Sequence, residues 1–113
     1  ISVTNYATGH LAEQEAAEFL ESIGFMIMQL NWKTKYCEID IVAKKAKTIY
    51  FVEVKYRAKT TQGVGFDYIT PKKLNQMKFA TRMWLSEQKW EGDCILAAIA
   101  ASPSGFELIE IVD

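Results

Sequence analysis

Three charged side chains lie inside two apolar stretches of the sequence. Asp40 is flanked by isoleucines, and Glu53 and Lys55 alternate with apolar residues in a segment rich in β-branched side chains. Stretches this apolar are normally covered, and burying an unpaired charge is expensive. The pattern therefore leaves two interpretations. Either the charges form a solvated, salt-bridged face, or they meet at a site that uses them.

A hairpin through the charged turn at 44–47 would bring Asp40 close to Glu53. Two carboxylates a few ångströms apart repel each other unless a cation lies between them. Oxygen ligands without histidine or thiolate are typical of Mg²⁺ or Mn²⁺. Lys55 shares the face of Glu53, where an ammonium could position a water or stabilise a phosphate under attack. This set matches a metal-dependent phosphodiester hydrolase, although the spacing alone does not separate it from a salt-bridged face.

Composition limits the other classes of site and fold. The chain has 113 residues, and its apolar share of 50% is that of one ordinary globular domain, here 1–113. Cys37, Cys94 and His10 are too few and too scattered for structural zinc, and one histidine makes a Ser-His-Asp site improbable. Reduced, buried thiols are favoured over a disulfide between the two cysteines.

Neither a membrane span nor a secretion signal is expected. The longest apolar run, 94–101, is too short for a spanning helix, which needs about 20 residues. A cytoplasmic location is the resulting expectation. The formal charge of −1 hides an uneven distribution: residues 33–82 hold twelve Lys and Arg against four Asp and Glu, a local charge of +8. This basic middle predicts a modest, salt-sensitive affinity for nucleic acid.

The periodicity predicts a mixed α/β (α+β) chain in the order α-β-β-β-α-β-β. A first helix carries an apolar stripe and ends at Gly24, with Glu13 at the edge of the stripe and Glu15 nearer its centre. Thr70 and Pro71 start a second helix that runs to about Gln88. The first stripe comprises Leu11, Ala12, Ala16, Phe19, Leu20 and Ile23, and the second comprises Leu74, Met77, Ala80, Thr81, Trp84 and Leu85.

The strands are predicted at 25–30, 37–43, 49–57, 93–101 and 106–112, with a polar turn at 31–36 and a loop at 58–68. Alternation predicts which side chains share a face. In the second strand, Cys37, Ile39, Ile41 and Ala43 should face one side and Glu38, Asp40 and Val42 the other. In the third, Phe51, Glu53, Lys55 and Arg57 share one face, and Tyr50, Val52 and Val54 share the other.

The sequence resembles the YraN family of predicted endonucleases, a branch of the restriction-endonuclease-like PD-(D/E)XK superfamily. The matching segments run in family order over nearly the whole chain. They are Gly9–Glu13, Asn31–Trp32, Cys37–Val42, Phe51–Arg57 and the helix from Thr70 through Leu85. The resemblance implies a restriction-endonuclease-like α-β-β-β-α-β core with a mixed sheet flanked by helices. The predicted element order agrees with that core.

The resemblance also implies roles for single residues. Asp40 and Glu53 would be ligands of Mg²⁺ or Mn²⁺, joined by the carbonyl of Val54. Lys55 would be the catalytic lysine. Glu13 would be an accessory acid that reaches the metal through water, although four acids on one helix usually form a solvated face.

Other polar residues have less defined roles. Glu38 is a candidate ligand or salt-bridge partner of the same site. Arg57 could hold a phosphate through two hydrogen bonds or pair with an acid. The other candidates for phosphate contacts, Lys72, Lys73, Lys78 and Arg82, could equally form a solvated helix face. The chain departs from the family at Ala12 and Cys37, where glycines are usual, and at Ile95 and Ala97, where an Arg and an Asp are usual.

The function implied is a Mg²⁺- or Mn²⁺-dependent DNA nuclease acting on branched or damaged DNA in recombination or repair. A homodimer would supply two sites, one for each strand. The alternative is a catalytically inert nucleic-acid-binding or assembly module on the same fold, since fold does not fix function. A third interpretation is a small-molecule or protein-interaction domain whose acidic helix binds a partner.

Overall fold

A five-stranded mixed sheet forms the centre of the fold, with helices packed against it. In the computed structural model, the residues described are 5–56 and 69–111. The elements follow the predicted order and are compatible with a restriction-endonuclease-like core. They are α1 (Asn5–Ser22), β1 (Met26–Lys33), β2 (Glu38–Lys45), β3 (Thr48–Tyr56), α2 (Pro71–Gln88), β4 (Asp93–Ser102) and β5 (Gly105–Glu110).

The strands are arranged in sequence order across the sheet, so β3 lies at its centre. β1, β2 and β3 are antiparallel neighbours, β3 and β4 run parallel, and β5 returns antiparallel to β4. α2 lies in the sequence between the two parallel strands, which need such a crossover because a tight turn cannot connect them.

Two apolar clusters lie on the two faces of the sheet. The cluster of α1 comprises Ala16, Ala17, Leu20, Phe25, Ile41, Ala43, Val52, Ala97 and Ile99. The cluster of α2 comprises Ile39, Val42, Ile49, Phe51, Ala80 and Trp84. β3 alternates between them as predicted, with Phe51 in the α2 cluster and Val52 in the α1 cluster. β4 contributes to both faces, which accounts for its continuous apolar run.

The apolar stripe predicted for α1 is wrong at both ends. Leu11 is 56% exposed and Ile23 is 39% exposed, whereas Ala17, absent from the prediction, is buried. Leu11 lies opposite the buried alanines on a 100°-per-residue helix, and Ile23 lies beyond the last helical residue. Gly24 ends the helix as predicted, with a φ of +100° that a glycine adopts without strain.

β1 is longer than predicted, because the polar segment after residue 30 continues the strand. Trp32 pairs with Ile39 and Lys33 with Glu38 in the antiparallel ladder. Trp32 also packs against the α2 cluster, so tertiary contacts outweigh the turn-like composition of this segment. The predicted end of the last strand at Val112 lies outside the described residues.

α2 agrees closely with its sequence signals. Thr70 caps the helix by accepting a hydrogen bond from the Lys73 N–H at 3.1 Å, and Pro71 is its first residue. Lys89 ends the helix with a φ of +56°. Neither described helix combines the length and the apolar character required to cross a membrane. Both cysteines are free thiols as predicted, but neither is buried: Cys37 is half-buried and Cys94 is exposed.

Candidate active site

Asp40 and Glu53 lie side by side on β2 and β3. The described β2–β3 ladder extends as far as the pair Ile41–Val52, and Asp40 and Glu53 are the next residues on their strands. Beyond the ladder, the Val54 N–H donates a hydrogen bond to Oδ2 of Asp40 at 2.8 Å. The Asp40 side chain therefore binds the main chain of β3 beside Glu53.

The alternation predicted for β2 is wrong at Asp40. Ile39 belongs to the α2 cluster, as Val42 does, whereas Ile41 and Ala43 belong to the α1 cluster. Strict alternation would put Ile39 with Ile41, so the strand changes phase between them. The break coincides with the point where a carboxylate, rather than a main-chain oxygen, accepts the N–H of the neighbouring strand.

Glu53 is a buried carboxylate with two ammonium groups near one of its oxygens. The residue is only 8% exposed, in a protein where acids are mostly at the surface. Lys73 Nζ lies 3.3 Å from Oε2 of Glu53. Lys55 Nζ lies 3.9 Å from the same oxygen, on the shared face that the sequence predicts. The sequence does not predict the contact with Lys73, because it leaves this lysine as either a candidate phosphate contact or part of a solvated helix face.

The pKa of Glu53 is raised from 4.5 to about 7. Burial is the largest cause, since it penalises the charged form, and the negative charge of Asp40 acts in the same direction. Lys73 and Lys55 lower the pKa in part. The two neighbouring carboxylates repel each other, and the two lysines offset this repulsion only in part. A bound cation would relieve it.

Glu13 of α1 reaches the same group of acids. Burial, followed by the charge of Asp40, raises its pKa from 4.5 to about 7, while a side-chain hydrogen bond with Asn31 lowers it in part. Its side chain also hydrogen-bonds that of Asp40. The prediction that Glu15 lies nearer the centre of the buried stripe is wrong, because Glu15 is exposed and Glu13 is half-buried.

Asn31 is a residue of this neighbourhood to which the sequence analysis gives no role. Its φ of +51° lies in the left-handed region, where asparagine is enriched among non-glycine residues. It stands between Leu30 and Trp32, which pair with Ile41 and Ile39 on either side of Asp40. The signal that could identify this position is the residue type itself, because asparagine adopts a positive φ more readily than most other residues.

The donors present fit a hard divalent cation by their chemistry. Carboxylate oxygens of Asp40 and Glu53 are the ligands that Mg²⁺ prefers, and Mg²⁺ commonly takes one or two protein carboxylates and completes its shell with water and phosphate. Within 5–56 and 69–111, no three His, Cys, Asp or Glu residues are grouped closely enough to hold a metal ion by themselves. Lys73 also lies against the Glu53 oxygen. A cation bound there must compete with this ammonium.

The remaining predicted site residues are spread around this centre. Val54 gives its N–H to Asp40, and its side chain packs against the α1 cluster. Lys78 is half-buried on α2 and Arg82 is exposed one turn further along. Glu38 is exposed, and Arg57 lies outside the described residues. Of the family departures on β4, Ala97 is fully buried in the α1 cluster and Ile95 is half-buried.

A groove of about 740 Å³ opens beside the acids, between the β1–β2 turn and the first half of α2. Its walls carry Lys33, Lys72 and Lys73, and the aromatic rings of Tyr36 and Phe79. Tyr36 has no role predicted from the sequence, where it lies in the polar turn at 31–36. The signal that could identify it is a large aromatic residue that directly follows the polar run Lys33-Thr34-Lys35.

Comparison with known proteins supports the family expected from the sequence. The profile of the "Uncharacterised protein family UPF0102" matches residues 12–111. A UPF0102 protein of Helicobacter pylori (strain HPAG1) is 38% identical over 107 residues, covering 92% of this chain and 89% of the relative. A UPF0102 protein of Tropheryma whipplei (strain Twist) is 37% identical over 93 residues, covering 82% and 77%. The chain therefore belongs to the UPF0102 family, which is the YraN family.

Proposed function

We propose that this protein is a Mg²⁺- or Mn²⁺-dependent DNA nuclease that hydrolyses phosphodiester bonds at Asp40 and Glu53. The observation that carries the proposal is the buried Glu53 carboxylate, held next to Asp40 on the adjacent strand with Lys55 at 3.9 Å. A purely structural acid gains little from such a position, because burial and a like charge both disfavour its ionised form. A cation and a phosphate would resolve this conflict.

Asp40, Glu53 and the carbonyl of Val54 are the proposed holders of the cation. A bound divalent ion supplies charge neutralisation at the phosphate and a water of lowered pKa. Lys55 is placed beside Glu53 to stabilise negative charge that develops on the phosphate. Glu13, which hydrogen-bonds Asp40, acts as the accessory acid that keeps this carboxylate oriented.

Lys73 partly compensates the charge of Glu53 when DNA is not bound. Its ammonium lies closer to Glu53 than that of Lys55 does, 3.3 Å against 3.9 Å. A phosphate is a competing partner for a lysine. When a DNA phosphate draws Lys73 away, Oε2 of Glu53 becomes accessible to a cation. Binding of substrate and of metal ion would then favour each other.

DNA is the proposed substrate because of the charge of the central region and the resemblance to nucleases of this fold. Residues 33–82 carry a local charge of +8, to which Lys78 and Arg82 of α2 contribute. The resemblance extends to nucleases of recombination and repair, so branched or damaged DNA is the substrate class proposed. In a homodimer, each subunit would supply one such site, so that each DNA strand would meet its own site.

One observation favours a second candidate, an inert nucleic-acid-binding or assembly module. The Lys73–Glu53 ion pair compensates the buried charge without a metal ion, and no three-ligand group lies among the described residues. In this case, the acids and lysines would form a structural network. Calorimetric titration with Mn²⁺ separates the two candidates, because an inert module with intact Asp40 and Glu53 would release no heat of binding.

The test of nuclease activity is a cleavage panel of supercoiled, linear, single-stranded and branched DNA with Mg²⁺ or Mn²⁺. Glu53→Gln preserves the size of the side chain and removes its charge, and Glu53→Ala removes the ligand altogether. Glu107→Gln is the matched control, because Glu107 is an exposed acid on β5. We expect the wild type and the control to cleave and both Glu53 variants to lose activity by roughly 100-fold or more. Equal cleavage by Glu53→Ala and the wild type would contradict the assignment.

A further inference from the structure

The groove beside the acids combines three kinds of surface on its walls. Lys33, Lys72 and Lys73 supply positive charge, and among the described residues of the wall the one acid is Glu38. Tyr36 and Phe79 supply aromatic rings. Asn75 and Gln76 supply amide donors and acceptors along the same wall of α2. Cations, exposed rings and amides are the groups that recognise the phosphate, the flat face and the polar edge of a nucleotide.

Tyr36 is presented to solvent by a well-defined turn. Its side chain is 73% exposed. The turn is closed by the Thr34 N–H, which donates to the Cys37 carbonyl at 2.8 Å, and by the Tyr36 N–H, which donates to the Thr34 hydroxyl at 3.1 Å. Lys35 Nζ lies 5.7 Å from the ring centroid of Tyr36. The Tyr36 ring is thus exposed to solvent beside the Lys35 ammonium, and it does not contribute to the hydrophobic core.

Phe79 provides the second ring, from α2. It is 40% exposed and lines the groove, although the buried face of α2 is formed by other residues. Met83 lies one helical turn further on and is equally exposed, at 38%, but it does not line the groove. This pair offers a comparison between an exposed apolar side chain inside the groove and one outside it.

The groove adjoins one acid of the candidate active site, Glu53, through residues that they share. Glu38 and Met77 line both the groove and a small cavity that extends to Glu53. Lys73 forms part of the groove wall and also pairs with Glu53 at 3.3 Å. A phosphate that draws Lys73 into the groove would therefore lie at the entrance to the site.

We propose that this groove binds an unpaired DNA nucleotide, with its base on Tyr36 and Phe79 and its phosphate on Lys72 and Lys73. The inference rests on the proposed nuclease function and specifies its substrate: a single-stranded segment, such as the unpaired arm of a branched molecule. Base stacking on aromatic side chains requires an unstacked base, which a duplex does not offer. The volume of about 740 Å³ is in the range of pockets for small ligands, roughly 300–1,000 Å³, and a duplex does not fit within it.

The test is equilibrium binding of fluorescent DNA in EDTA, where no cleavage can occur. The probes are a single-stranded oligonucleotide, a duplex with an unpaired arm, a blunt duplex of the same length, and a single-stranded RNA. We expect tighter binding of the two DNA probes with unpaired nucleotides than of the blunt duplex. Tyr36→Ala and Phe79→Ala should each weaken this binding roughly 5-fold or more, and Tyr36→Phe should restore it.

Two controls test whether the effect belongs to the groove. Met83→Ala removes an equally exposed side chain from the same helix, and Lys47→Ala removes an exposed lysine from the turn between β2 and β3. Neither should reduce the preference for unpaired DNA. Circular dichroism of each variant establishes that it is folded.

The outcomes separate this inference from the nuclease proposal. Preference for unpaired DNA that depends on Tyr36 and Phe79 supports the groove, even if the protein cleaves nothing. Equal affinity for blunt and unpaired DNA overturns the inference about the groove. Wild-type affinity of both alanine variants also overturns it. Both conclusions hold even if the protein cleaves duplexes with metal. Tighter binding of RNA than of DNA, lost on Tyr36→Ala, also overturns the assignment to DNA.

Discussion

Lys73, in the first turn of α2, places its ammonium 3.3 Å from the buried carboxylate of Glu53 on β3. The contact joins the helix that crosses between the parallel strands to the central strand of the sheet. Thr70 and Pro71 fix where the helix begins, and therefore where Lys73 lies. One lysine thus connects the acids, the groove and the start of α2.

Lys73→Met should tighten binding of Mn²⁺ to the DNA-free protein several-fold. The reason is that an ammonium next to Glu53 repels a cation that uses the same oxygen. Calorimetric titration of EDTA-treated protein measures the change, with Lys47→Met as the control at the opposite end of β2 and β3. Weaker Mn²⁺ binding in Lys73→Met than in the control variant would show that Lys73 supports the site rather than competing for it.

In the absence of metal, the stability of the wild type should depend on pH through Glu53 and Glu13. Both have a folded pKa of about 7 against an ordinary value of 4.5. The folded state therefore holds extra protons between these values, and the free energy of unfolding falls as the pH rises from 4.5 to 7. Glu53→Gln removes one of the two groups and should make this decline shallower.

Urea denaturation of both proteins at several pH values in EDTA measures the decline. A steeper fall of stability in Glu53→Gln than in the wild type would mean that the charged form of Glu53 is favoured in the folded state. Addition of Mn²⁺ should reduce the decline in the wild type, because a cation that binds the folded state stabilises it. Glu107→Gln, an exposed acid on β5, should follow the wild type in both conditions.

Two substitutions of Asp40 should separate its structural and chemical roles. Asp40→Asn keeps an oxygen that accepts from the Val54 N–H and removes the charge, so it should remain as stable as the wild type and lose cleavage by roughly 100-fold. Asp40→Ala leaves this N–H without its acceptor and should also lose about 1–3 kcal/mol of stability. Chemical denaturation and a cleavage assay measure the two effects. Full activity of Asp40→Asn would remove Asp40 from the proposed ligands.

Lys72→Ala should reduce the salt dependence of binding to single-stranded DNA. Each phosphate contact releases counterions, which contributes about 0.7 to the slope of log affinity against log salt for a single strand. Loss of one contact should therefore lower the slope by about this amount, while Lys47→Ala leaves it unchanged. Fluorescence anisotropy over a series of salt concentrations gives both slopes. An unchanged slope in Lys72→Ala would exclude this lysine from the phosphate contacts.

The sequence predicts the element order well, because its local signals agree with the tertiary arrangement. Gly24 and the Thr70–Pro71 pair mark helix ends that the structure reproduces. The alternation of β3 correctly assigns Glu53 and Lys55 to one face. These signals are local, since each depends on the conformational preferences of a few neighbouring residues.

The sequence predicts the details around Asp40 less well, because they depend on partners distant in the chain. The phase change of β2 coincides with the hydrogen bond between Asp40 and the Val54 N–H, 14 residues away. The burial of Glu13 rather than Glu15 follows from how α1 rests on the sheet through small alanines. Periodicity identifies an apolar stripe, but it does not tell which residues of α1 face the sheet. Apolar side chains such as Leu11 remain exposed, so the stripe does not fix the rotation of the helix about its axis.

The central claim is that Asp40 and Glu53 together support cation-dependent hydrolysis of DNA. The most direct measurement is the rate of cleavage of a fluorescent branched DNA as Mg²⁺ or Mn²⁺ is titrated into wild type and the Asp40→Asn/Glu53→Gln double variant. We predict a rate that rises and saturates with the cation for the wild type, and no cation-dependent cleavage by the folded double variant. Cleavage of the same extent by both proteins, or none by the wild type across the DNA panel, would contradict the claim.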